Sequence, residues 1–311
     1  MTAGAAVKQG FGLARRAGTA VWVLFLVNLA LAALAGLPIY RGVIRFTGHS
    51  LIGQELLRGF STDWLTDFRS NSPGSLDRYA GVIAYVGLLS ILVNAVLAGG
   101  ALARFRDPGL PQGLGDFARA AARYAWRMIR LMILGLIGYW IVFRLLNQGL
   151  SGLVTKWTRE AIDDRSVFLA RLLVGVLTVA GLIFVNLVMD YARVKLVLED
   201  ETSAAVAFLA SLGFSLRRLR KALTVYAIPS LLGIALLGFY RLVLPWGSIN
   251  ASLAGAGGWR YREPLVLALL FIGQQVIMFG RYWFRVATWG GEWSYYSGLP
   301  QPGAEESPVE S

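Results

Sequence analysis

The chain contains no cysteine and a single histidine, His49. Without a thiol there is no disulfide, no thiolate nucleophile, no Cys-based zinc site and no Cys-ligated iron–sulfur cluster. With one imidazole there is no bis-His haem, HExxH zinc or multi-His copper site. Charge is scarce: 15% of 311 residues, against about 25% in a soluble domain. Acidic residues are scarcest, 18 against 30 basic ones, of which 26 are Arg, and the net charge is +12. No G-x-x-x-x-G-K-[ST] loop is present, and no G-x-G-x-x-G follows a strand. Gly113-Leu114-Gly115 precedes a helical pattern and reads as a turn. A Ser–His hydrolase would need His49 beside a serine deep among apolar segments. His49 instead sits next to Ser50, whose evident role is a helix cap, so it reads as a solvated histidine. An aspartyl dyad needs two facing carboxylates, and only Asp190 lies close to an apolar run. The residues thus point to no catalytic group, no cofactor site and no metal site.

What is abundant is apolar surface: 56% hydrophobic residues and a mean hydropathy of +0.57. A membrane-spanning helix needs about 20 mostly apolar residues. Six runs qualify: 20–40, 79–103, about 128–146, 168–191, about 222–244 and 264–287. Lys8, Arg15 and Arg16 ahead of the first run, with Ala33-Leu34-Ala35 inside it, also fit a signal peptide. The apolar run continues to Tyr40, longer than the usual stretch of about 7–15 residues in such peptides, so it reads as a span. The expected fold is all-α: a polytopic membrane protein of about six transmembrane helices with interfacial amphipathic helices. Residues 1–19 form a cytoplasmic lead-in, 20–297 the transmembrane domain, and 298–311 a Pro-, Glu- and Ser-rich tail expected to be disordered.

Lys and Arg near span ends set orientation. With the N-terminus inside, inner segments carry 17 basic residues and outer segments 13. The densest clusters, Arg119/Arg123/Arg127/Arg130 and Arg217/Arg218/Arg220/Lys221, both fall inside. The expected location is a bacterial inner membrane with both termini cytoplasmic.

Each inner cluster sits on an amphipathic elbow entering a span. In the first, Asp116 is placed to cap a helix. Phe117, Ala120, Ala121, Tyr124 and Met128 line its apolar face, and the arginines line the other. In the second, Thr202 or Ser203 caps a helix through Phe208, Leu212 and Leu216. A shift of 90 residues sets Tyr124 on Phe214, Arg127 on Arg217 and Arg130 on Arg220, so 80–146 and 170–236 look like an internal repeat. Parallel repeats occur in transporters; a hairpin duplicated for packing accounts for the match equally well. On the outer side, 50–68 places Leu51, Leu56, Phe60, Trp64, Leu65 and Phe68 on one face of a further interfacial helix. It ends in the turn Ser72-Pro73-Gly74-Ser75. Segment 245–262 reads as a Gly-rich outer loop.

Charge within or beside a span is expensive and usually paired. Asp190 at the end of the fourth run has Arg193 one helical turn away, which reads as a structural ion pair; a coupling carboxylate is the sharper alternative. Asn94, Asn186, Gln274 and Gln275 lie deeper. They read as hydrogen bonds between helices, with a polar cavity for a small substrate as the alternative.

Asp190-Tyr191-Ala192-Arg193, the elbow Phe117…Arg123-Tyr124…Arg127…Arg130-Leu131 and Gln274-Gln275 resemble six-span bacterial membrane proteins of unassigned role. They are also similar to the membrane domain attached to some glycerophosphodiester phosphodiesterases, over roughly residues 80–290. The catalytic barrel of those enzymes is absent, so the resemblance implies a membrane module and no phosphodiesterase activity. The expected function is a non-enzymatic scaffold or assembly role. The two basic clusters would bind membrane lipids, preferentially anionic. A membrane-protein partner is in scope and nucleic acid is not. The alternative is a transporter or permease subunit; a lipid enzyme ranks behind both because acid and base groups are few.

Overall fold

A computed structural model describes residues 1–48, 62–107, 113–157, 164–243 and 263–299. Among these the chain is helical throughout, with no strand. In order the helices are α1 (Ala3–Arg16), α2 (Gly18–Thr47), α3 (Thr62–Asn71), α4 (Ser75–Arg106) and α5 (Leu114–Val142). A π-helical stretch (Phe143–Leu150) follows, then α6 (Ser151–Trp157), α7 (Asp164–Leu198), α8 (Ala204–Arg217), α9 (Leu219–Val243) and α10 (Glu263–Ser297). This is an all-α polytopic membrane protein.

Five helical paths are long and apolar enough to cross a bilayer: Gly18–Thr47, Ser75–Arg106, Leu114–Trp157, Arg165–Leu198 and Leu219–Tyr240. They account for the first five expected runs. The sixth run, 264–287, falls within α10, a continuous helix of 35 residues. The helices outlast the apolar runs because nothing in the polar flanks stops them. The backbone keeps its internal hydrogen bonds across the interface, and α4 continues to Arg106 and α7 to Leu198. Likewise α5 does not end in a loop near residue 146. It passes through the π-helical stretch into α6, so that span reaches Trp157.

Two compact units make up the chain. The first comprises 1–20, 95–230 and 286–311. Here α7 packs on both α5 and α8. Leu131, Val185, Met189, Ala192, Leu196, Ala204 and Ala207 form one buried cluster. Ala6, Val7, Leu187, Tyr191, Ala222, Val225 and Tyr295 form another. Residues 3–16, read above as a basic lead-in, are an amphipathic helix burying Ala6, Val7, Gly10 and Ala14. That face meets Gly290 and Gly291 of α10 so closely that a Cβ on Gly10 would overlap the Gly291 backbone nitrogen. Gly at positions 10 and 290 is what lets the two backbones touch, since a Cβ at either would press into the other helix's backbone.

The second unit comprises 21–94 and 231–285. Trp22 and Phe25 of α2 pack on Phe279 of α10, with ring centroids 4.6 and 5.7 Å apart. Phe46, Trp64, Phe68 and Tyr79 form an aromatic knot, Phe68 lying 5.0 Å from Phe46 and 5.2 Å from Trp64. The α3 helix overlaps the expected outer interfacial helix at residues 62–68, and Phe68 is buried. Residues 49–61, with His49, lie outside the described residues, as do the 245–262 loop and the tail from 300.

Candidate functional site

The first elbow is the N-terminal half of α5. Its N-cap is Gly113, not Asp116. Asp116 sits in the first turn, where a carboxylate still faces free backbone N–H groups, and pairs with Arg119. The apolar face is as expected, with Phe117, Ala121, Tyr124 and Met128 buried.

The arginine stripe is not simply presented outward. Arg127 Nη1 donates to Asp200 Oδ1 at 2.5 Å and to the Asp200 and Glu201 carbonyl oxygens at 3.1 and 3.3 Å. Arg123 Nη2 reaches Asp200 Oδ2 at 3.1 Å. Arg106, at the end of α4, lies 3.9 Å from the same oxygen and donates to the Val197 carbonyl and the Tyr124 hydroxyl, each at 3.1 Å. Arg130 donates to the Thr202 carbonyl at 3.1 Å. Together they clamp the α7–α8 turn. That turn is itself strained, since Asp200 is a non-glycine residue at φ 50°. The hydrogen bond from Arg127, with the charges of Arg127, Arg123 and Arg106, outweighs partial desolvation and holds Asp200 below the ordinary carboxylate range.

The second elbow is built differently. Ser203 caps α8, its hydroxyl accepting from Val206 N, and Glu201 accepts from the N–H groups of Thr202 and Ser203. Ala204, Ala207, Ser211 and Ser215 form its buried face. The helix then breaks at Arg218, where the first elbow runs on unbroken. Arg217, Arg218, Arg220 and Lys221 are all exposed at this break. Leu216 and Leu219 are exposed beside them. Arg218 lies 5.7 Å over the Phe214 ring. Among the described residues no carboxylate forms a salt bridge with any of the four. The aligned pairs Arg127/Arg217 and Arg130/Arg220 therefore differ in use. One pair binds the protein's own turn and the other faces outward.

Asp190 is fully buried on α7. Arg193 Nη1 pairs with its Oδ1 at 2.5 Å, and Trp289 Nε1 of α10 donates to the same oxygen at 3.3 Å. A second buried carboxylate, Glu292 of α10, stands with Tyr295 and Asp190 within electrostatic reach of Tyr191. Arg104 is buried too, and donates to the Gly113 carbonyl at 2.9 Å.

The uncharged polar residues make contacts between helices. Asn94 Nδ2 donates to Asn28 Oδ1 at 2.8 Å, Asn28 Nδ2 donates back to Asn94 Oδ1 at 2.9 Å, and Ser90 Oγ adds a bond to Asn28 at 3.4 Å. Asn186 Nδ2 donates to Tyr226 Oη at 2.5 Å and accepts from Tyr139 Oη at 3.2 Å. Gln274 is exposed on α10 and Gln275 half-buried. Asn94 and Asn186 anchor separate helix contacts, Asn94 in the second unit and Asn186 in the first.

Sequence reasoning passed over Asn28, Asp200, Glu292 and Arg104. Asn28 carried the same signal as Asn94, an amide inside an apolar run. Glu292 carried one as well, a carboxylate in an aromatic stretch with no cation within four residues. Asp200 gave none, since a polar residue at a helix end is ordinary. Among the described residues no group of three His, Asp or Glu side chains could hold a metal ion. No protein-family model, no curated protein and no solved structure matches the chain.

Proposed function

We propose that the protein is a non-enzymatic membrane scaffold or assembly factor that binds anionic lipid at its cytoplasmic face. The observation that carries the reading is the α8–α9 break, with four exposed cations beside two exposed leucines. At a bilayer surface such a pattern sets leucine among acyl chains and guanidinium or ammonium among phosphates. Each cation near an anionic leaflet contributes about 1 kcal/mol, falling with salt. The first elbow contributes less, since Arg127 and Arg130 serve the α7–α8 turn and Arg119 pairs with Asp116; the exposed faces of Arg119 and Arg123 remain for headgroups. The hydrogen bonds that Asn94 and Asn186 spend on neighbouring helices support a packed scaffold over a permease. The resemblance of residues 80–290 to a membrane module agrees with this role. In the orientation that goes with it, six spans cross a bacterial inner membrane and both termini are cytoplasmic.

The test changes Arg217, Arg218, Arg220 and Lys221 to Gln in the full chain and follows co-purifying phosphatidylglycerol and cardiolipin by native mass spectrometry. Retention is expected to fall sharply, and by less for the same change at Arg119, Arg123, Arg127 and Arg130. Unchanged lipid content in the first variant removes the basis for the reading. Reporter fusions at Gly74 and Gly303 test the orientation: a cytoplasmic signal at Gly74 or a periplasmic one at Gly303 overturns it.

A further inference from the structure

The α8–α9 break is a concentrated positive surface, and the chain carries a matching negative segment. Residues 300–311 contain Glu305, Glu306 and Glu310 and no Lys or Arg. These are three of only 18 acidic residues in a chain of net charge +12. Leu299, Phe214 of α8 and Tyr296 of α10 all pack on the buried cluster of Ala6, Val7, Leu187, Tyr191, Ala222, Val225 and Tyr295. The Phe214 and Tyr296 rings are 5.1 Å apart, and Phe214 also lies under Arg218. Tyr296 is held further by donating to Glu199 Oε1 at 2.7 Å. The start of the tail is therefore fixed beside the basic break.

Reach is not limiting. Tyr296 is already one ring from Arg218, through Phe214, at centroid distances of 5.1 and 5.7 Å. Glu305 is six residues beyond Leu299, which spans up to about 20 Å when extended. Effective concentration favours the contact too. A short tether makes the second encounter intramolecular, at roughly millimolar concentration. A segment rich in Pro, Glu and Ser can bind a basic surface through charge alone.

We propose that the tail segment carrying Glu305, Glu306 and Glu310 is an intramolecular ligand of Arg217, Arg218, Arg220 and Lys221. It occupies the surface assigned above to anionic headgroups and competes with them. The proposal rests on that surface being the outward basic face of the lipid reading, but not on lipid being bound there. The competition gives the site a regulator. Loss of tail charge strengthens lipid binding, and an anionic leaflet displaces the tail.

The absence of cysteine makes the test direct. A single S307C variant of the full chain carries a nitroxide label, and its mobility is read by electron paramagnetic resonance in neutral detergent. The expected spectrum is restricted at low salt. It becomes mobile on changing Glu305, Glu306 and Glu310 to Gln, on changing the four cations to Gln, and on adding phosphatidylglycerol vesicles but not phosphatidylcholine vesicles. A label equally mobile in the parent and in both neutralised variants overturns the proposal. A label restricted in the parent and unaffected by neutralising the cations places the tail elsewhere and overturns it too. Release by both neutralised variants with no response to phosphatidylglycerol upholds the docking and removes the competition. Lipid retention by the triple Gln tail variant reports on the lipid reading separately. Retention above the parent supports competition, while no retained anionic lipid in either protein sinks the lipid reading and leaves the docked tail standing.

Discussion

Replacing Asp200 with asparagine removes one negative charge from among three arginines and leaves nearly everything else in place. Asn keeps the size and an acceptor, and tolerates the left-handed backbone that Asp200 adopts at φ 50°. Arg127 retains its bonds to the Asp200 and Glu201 carbonyl oxygens. What is lost is the charge in the 2.5 Å and 3.1 Å contacts to Arg127 and Arg123 and in the 3.9 Å approach of Arg106. The Asp200 side chain is 34% exposed and that of Arg123 63%, so solvent screens much of the attraction. Arg127, at 21%, is the better-sheltered partner. A charge-assisted hydrogen bond is worth about 1.5–3 kcal/mol and an exposed pair about 0.2–1 kcal/mol. With a neutral bond remaining, the expected loss is about 1–2 kcal/mol. Asp200→Ala also loses the short polar side chain that lets Asp or Asn tolerate the left-handed region, about 1 kcal/mol more, whereas Asp200→Gly removes the Cβ itself. Thermal unfolding in neutral detergent should therefore rank the parent above Asn, and both Asn and Gly above Ala. The pH dependence has a definite sign. Asp200 titrates lower in the folded protein than its ordinary value. Its stabilisation is complete above the unfolded-state value, about 3.9, and is lost as pH falls through the folded value. The gap between parent and Asn variant should be steady from about pH 7 to 5 and close at the acid end. Equal midpoints at neutral pH, or a gap that persists in acid, would refute the clamp.

Asp190→Asn should cost more, because Asp190 is fully buried and Arg193 would be left without its carboxylate. One-sided loss of a buried pair costs about 3–5 kcal/mol, and snorkelling of Arg193 argues for the low end. Part of that stability should return in Asp190→Asn/Arg193→Gln, and melting curves of the four proteins in the cycle decide it. Asn28→Ala and Asn94→Ala should each cost about 0.6–1.7 kcal/mol and couple in a double-mutant cycle; additive effects would mean that the reciprocal amide bonds contribute nothing. Gly10→Leu should lever α1 off Gly291, seen as new protease cleavage within residues 3–16, while Gly12→Leu, where a Cβ meets nothing within 4 Å, serves as the control.

The long apolar runs, the elbow at residues 117–128 and the cap at Ser203 were legible because each is a local property. A helix in lipid satisfies its own backbone, so composition over about 20 residues fixes where it runs. A period of about 3.6 residues marks which face is buried. Pairing is different. Arg127 and Asp200 are 73 residues apart, and Asn28 and Asn94 are 66 apart. No local pattern says which helices will be neighbours. Both basic clusters read alike in sequence, as stripes of arginine on amphipathic elbows. Only the tertiary structure decided that Arg127 turns inward to hold a strained turn while Arg217 faces outward, because the α7–α8 turn happens to present Asp200 to one elbow and, among the described residues, no carboxylate to the other. The sequence by itself therefore determined that this is a helical membrane protein whose basic residues gather on two elbows. Which of those charges remain free to act was decided by packing, since a guanidinium is satisfied by whichever carboxylate or carbonyl the fold brings within about 3 Å.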